Sequence, residues 1–72
     1  MKDLIQMGRA VRSARIMAGM NQKDLAKASG VGLCSISFIE GGSKNHEPRS
    51  STVAKLAAAL NVDASEFLKY FY

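Results

Sequence analysis

Residues Asn21 to Gly42 read N-Q-K-D-L-A-K-A-S-G-V-G-L-C-S-I-S-F-I-E-G-G. Asn21 is a favoured helix N-cap, because its side-chain oxygen accepts from a first-turn N–H that has no helical partner. Gly30 takes the left-handed conformation that ends a helix at little cost. The spacing therefore predicts a helix over Gln22–Ser29 with Leu25 and Ala26 facing inward. A second helix is expected over Leu33–Glu40, with Ile36 and Ile39 as its inward pair. The turn between them opens on Gly30. Ala26 is small where the two helices cross closely, Val31 and Ile36 plug the angle between them, and Leu25 closes it from the other side. The segment is two short helices set at an angle around a tight turn.

The rest of the chain follows the same punctuation. Gly19, Gly41-Gly42 and Asn61 each follow a stretch with helical spacing and read as C-terminal caps. A first helix is expected over about Asp3–Ala18, with Leu4, Met7, Val11 and Ala14 on one face. A fourth is expected over about Ser51–Leu60, with Val53, Leu56, Ala57 and Leu60 on one stripe and Ser50 or Ser51 as N-cap. A fifth starts at Asp63, whose carboxylate suits a helix N-terminus, and carries Phe67 and Leu68. Pro48 closes the longest loop, Ser43–Glu47, and no alternating β-branched run argues for a sheet. The expected fold class is all-α, with five helices. Helices this short are unstable alone in water, so all of them need one shared core.

Composition bounds the function. The 72 residues suit one domain, and 47% of them are hydrophobic, ordinary for a globular chain. Ten Lys and Arg against six Asp and Glu give a net charge of +4, which suggests an anionic partner without naming one. One cysteine, Cys34, excludes an internal disulfide framework or a cysteine-based zinc site, and with one histidine no metal centre or other cofactor is expected. There is no apolar run long enough to span a bilayer and no secretory pattern, so a cytoplasmic protein without membrane contact is expected. No carboxylate pair, nucleophile–base set or metal constellation supports an enzyme.

The motifs G-R-A-V-R-S-A-R (8–15), G-M-N-Q-K-D-L-A-K-A-S-G-V (19–31), I-S-F-I-E-G-G (36–42) and P-x-x-x-T-V-x-K-L-A-x-A-L-N-V (48–62), followed by Phe67-Leu68, run over nearly the whole chain. In that register they resemble the phage repressor/Cro-type helix-turn-helix proteins, the xenobiotic-response-element family. The resemblance implies a five-helix lambda-repressor-like DNA-binding domain over residues 1–72, with the helix-turn-helix at about 21–41. It implies that helix three lies in the major groove of double-stranded DNA while helix two crosses the backbone. By position, Gln22 would then hydrogen-bond a phosphate, aided by the helix dipole. It further implies a partly buried ion pair between Arg15 and Glu40 that orients the reading helix.

With Ile36 and Ile39 turned to the core, helix three presents Leu33, Cys34, Ser37 and Phe38 to the groove, with Ser35 beside them. The family often places hydrogen-bonding side chains there. Here Leu33 and Phe38 suit thymine methyl groups, so water and DNA deformability carry more of the specificity. Packing of Phe38 against helix four or the long loop is the competing reading, and Cys34 is a small apolar filler or a redox-sensitive thiol. The loop between Gly42 and Pro48 is longer than the family pattern. Lys44, Asn45 and His46 in that loop, with Arg49 and Ser51 after it, reach phosphates flanking the site or are simply solvated. Arg9 and Arg12 flank the same surface.

Four aromatic residues close the chain: Phe67, Tyr70, Phe71 and Tyr72. Phe67 closes the core beside Leu56 and Leu60, but regular helical spacing over about 63–72 does not turn Leu68, Phe71 and Tyr72 all into the same small interior. A homodimer seam at Leu68, Tyr70, Phe71 and Tyr72 is therefore expected. The implied function is a sequence-specific transcriptional regulator, a dimeric repressor of phage or mobile-element type on a palindromic operator, acting by occlusion of RNA polymerase or contact with it. A restriction–modification controller, an antitoxin that binds a toxin and its own promoter, and a protein-interaction module that has lost DNA binding are the alternatives.

Overall fold

The computed structural model describes residues 3–42 and 48–71. Among them the chain forms α1 (Leu4–Met17), α2 (Gln22–Ser29), α3 (Leu33–Gly41), α4 (Ser50–Ala59) and α5 (Ser65–Leu68), followed by a 3-10 turn, Lys69–Phe71. The arrangement is all-α.

The caps explain most of the boundaries. Asp3 accepts from the Gln6 N–H at 3.0 Å and starts α1. Asn21 starts α2 through a reciprocal box: its side chain accepts from the Asp24 N–H at 2.7 Å, and Asp24 accepts from the Asn21 N–H at 3.0 Å. Gly30 and Gly42 end α2 and α3 with φ of +75° and +67°, and Asn61 takes +58° just after α4. Two expectations need correction. The N-cap of α4 is Arg49, without a side-chain cap bond, where Ser50 or Ser51 was expected. The last helix begins at Ser65, because the Asp63 carboxylate accepts from the Ser65 N–H and holds the preceding residues in a turn. That hydrogen bond also keeps the Asp63 carboxyl below its ordinary pKa.

One apolar cluster joins the elements. Met7 and Val11 of α1, Leu25 of α2, Val31 of the turn, Ile36 and Ile39 of α3, Val53, Leu56 and Ala57 of α4, Leu60 and Phe67 are all buried in it. Each of these side chains larger than alanine contributes roughly 1.5–3 kcal/mol on burial, and this holds helices that could not stand alone. Helix α1 packs on α3 and α5, α2 on α3 and α4, and α4 on α5. The outward faces of α2 and α3 are thus left exposed by the packing of their inward faces.

Candidate nucleic-acid interface

The inward pair Ile36 and Ile39 fixes which face of α3 looks out. Leu33, Cys34, Ser37 and Phe38 follow the spacing i, i+1, i+4, i+5 and lie on one arc of the helix. All four are exposed, Leu33 at 40% and Phe38 at 48%, whereas Ser35 is half-buried at the edge of that face. The face is mostly apolar and carries neither a cation nor a carboxylate.

A charged network braces the far end of α3. Arg15 donates from Nε to Glu40 Oε2 at 2.8 Å and from Nη2 to Oε1 at 3.0 Å. Its Nη1 donates to the Met20 carbonyl at 2.8 Å. The side chains are only 12% and 5% exposed. The hydrogen bonds to Glu40, and secondarily its charge, raise the Arg15 pKa against the opposing effect of burial. Gln22, expected at a phosphate, donates from Nε2 to Glu40 Oε1 at 3.3 Å. The first residue of α2 is therefore tied to the last turn of α3, a contact that its place at a helix start did not reveal. Among the described residues every buried side-chain nitrogen and oxygen has a partner.

Arg9, Arg12, Lys23, Lys27 and Arg49 are exposed and pair with no described carboxylate. Lys44, Asn45 and His46 lie outside the described residues, as does Tyr72. Leu68, Tyr70 and Phe71 are half-buried and pack against the chain's own core. The expectation of one regular last helix is corrected here: the switch to 3-10 geometry at Lys69 tightens the turn and brings Tyr70 and Phe71 inward. The Tyr70 carbonyl accepts from the Asp3 N–H at 2.8 Å, which fastens this turn to the start of α1. Ala10, Ala14, Met17, Val62, Phe67 and Tyr70 line a groove of about 490 Å³ between α1 and the C-terminal turn.

Among the described residues no helix is long and apolar enough to cross a membrane. No curated protein and no solved structure gives a significant match to the chain. A helix-turn-helix family model matches residues 11–67. That span contains the capped α2, the turn, the whole of α3 and most of the buried core. On this match, which takes in most of its length, the chain belongs to the helix-turn-helix family of DNA-binding domains.

Proposed function

We propose that the protein is a sequence-specific transcriptional regulator whose helix-turn-helix pair is α2 and α3, with α3 in the major groove and α2 across the backbone. The observation that carries this reading is the outward face of α3, exposed and free of carboxylates, together with the exposed cations Arg9, Arg12, Lys23, Lys27 and Arg49, which pair with no described carboxylate. Leu33 and Phe38 meet thymine methyl groups and Ser37 reaches a base edge, with Cys34 and Ser35 beside them. Gln22 and Arg49 contact phosphates, joined by Lys44 and Asn45 of the loop. The Arg15–Glu40 pair orients α3.

We place the protein in the cytoplasm as a homodimeric repressor of phage or mobile-element type on a palindromic operator, blocking or touching RNA polymerase, with no catalytic step. The partly exposed Leu68, Tyr70 and Phe71, with Tyr72, form its seam. One copy is 30 Å in its longest dimension, and half-sites one turn of DNA apart stand ~34 Å from each other, so two copies fit such a site. Selection of bound duplexes from random DNA tests the reading. The expected yield is a palindrome with thymines in each half-site, bound with steep salt dependence. Recovery of no preferred sequence contradicts it.

A further inference from the structure

We infer that Gly8 is a positioning residue for the reading helix: its bare backbone is the seat on which the last turn of α3 rests. Gly8 lies in the interior of α1, where glycine forms helix less well than alanine, so its presence calls for a gain elsewhere. The gain is proximity. A Cβ on Gly8 would penetrate the Ile39 carbonyl oxygen and lie 3.1 Å from that of Glu40. Both obstructing atoms are backbone, so no rotamer change relieves the clash. The Gly8 Cα–H faces the Ile39 and Glu40 carbonyls at the end of α3, the first of which already accepts from the Gly42 N–H at 3.1 Å.

Arg15, two turns along the same stripe of α1, grips the Glu40 side chain. Helix α1 thus meets the last turn of α3 at the Ile39 and Glu40 carbonyls and at the Glu40 carboxylate. Gly8 sets the distance, and Arg15 sets the rotation. A methyl group at Gly8 must push this end of α3 away by on the order of 1 Å to recover ordinary contact, while the other end stays pinned by Val31 and Ile36 in the core. The outcome is a tilt of the outward face.

The inference rests on α3 being the helix that reads DNA, and its test separates the two claims. The full chain and Gly8→Ala are titrated with two duplexes, one selected by the native chain from random DNA and one unrelated duplex of equal length. Native discrimination between them is the condition of the functional reading; without it that reading fails and takes this inference with it. Given discrimination, Gly8→Ala is expected to lose about tenfold or more on the selected duplex, as misplaced base contacts require. Affinity for the unrelated duplex and the salt slope should stay within about twofold, since phosphate contacts carry those. A purely structural glycine would lower the folded fraction, weaken both duplexes by one common factor, and overturn the inference, as would unchanged discrimination. Gly41→Ala, where an added Cβ meets nothing within 4 Å, is the control and should bind like the native chain. If Gly8→Ala is unfolded in buffer, the titration is run in trimethylamine N-oxide, which favours the compact state. Failure to fold there too shows a folding role alone and also overturns the inference.

Discussion

Glu40 ties three stretches of chain together through one carboxylate: Arg15 from α1, Gln22 from α2, and its own helix α3. Burying that charge costs desolvation free energy that only its donors offset. Removing the carboxylate leaves the Arg15 guanidinium with only the Met20 carbonyl and frees a nearly buried cation. Glu40→Ala is therefore expected to destabilise the protein by about 3 kcal/mol, a fall in Tm of roughly 12–24 °C for a domain of this size. The comparison is Glu66→Ala, whose partner Lys69 is 3.7 Å away and whose side chain is 62% exposed; screening makes that pair worth little. Calorimetry that gives equal melting temperatures for the two variants would refute a structural role for the buried pair. The raised Arg15 pKa adds no acid or neutral pH dependence: a cation whose folded pKa is raised gives stability that is complete below its unfolded value and fades only as pH climbs through the folded one. The ends of this network carry a charge pattern that the family resemblance points to from sequence. The Gln22–Glu40 hydrogen bond and the approach of α3 to Gly8 are not legible, because contacts between distant segments leave no spacing signal along the chain.

At the scale of elements, the most informative mismatch is the start of α4. Asn21 caps α2 with a full reciprocal box, whereas Arg49 stands at the N-cap of α4 with no side-chain acceptor for the free N–H groups. A cation at the positive end of a helix is also electrostatically unfavourable. The proposed phosphate contact explains why an arginine stands there. Arg49→Ser should raise folding stability by about 0.5–1 kcal/mol, read as a higher urea midpoint at unchanged slope. The same change should reduce the slope of log K against log salt for DNA by about one unit. A more stable variant with an unchanged salt slope would remove Arg49 from the interface. The bounds of α2 and α3 are legible in the sequence to within a residue because strong local chemistry marks them, Asn21 and Gly30 at the two ends of α2 and Gly42 at the end of α3. The α4 cap is not, because serine chemistry is available at two positions and the backbone uses neither. The 3-10 turn at Lys69–Phe71 is not legible either, because that tightening comes from packing against α1, a tertiary cause with no local signature.

Under the proposed function, one chain offers DNA one reading face and few charges to hold it. The net charge of +4 is modest, and Arg15 is committed to Glu40, so under the proposed function backbone anchoring would fall to Arg9, Arg12, Lys23, Lys27 and Arg49, with Lys44 of the loop. One such face with a mostly apolar surface gives limited discrimination, since methyl contacts carry less directional information than bidentate hydrogen bonds. Two faces held in fixed geometry multiply it, because the second contact becomes intramolecular. This consequence separates a dimer from a lone monomer without reference to any particular seam residue. In a two-fold pair, both α3 helices must meet the major groove on the same side of the duplex. Inserting about five base pairs between the half-sites turns one of them to the opposite side, since a helical turn is ~10.5 base pairs. Affinity should then drop to that of an isolated half-site, an expected loss of about 100-fold from the forfeited second contact. Electrophoretic titration of the native and lengthened duplexes measures it. A monomer that reads one half-site at a time binds both duplexes alike, and that result would leave Leu68, Tyr70 and Phe71 with only the core-covering role they have in the single chain.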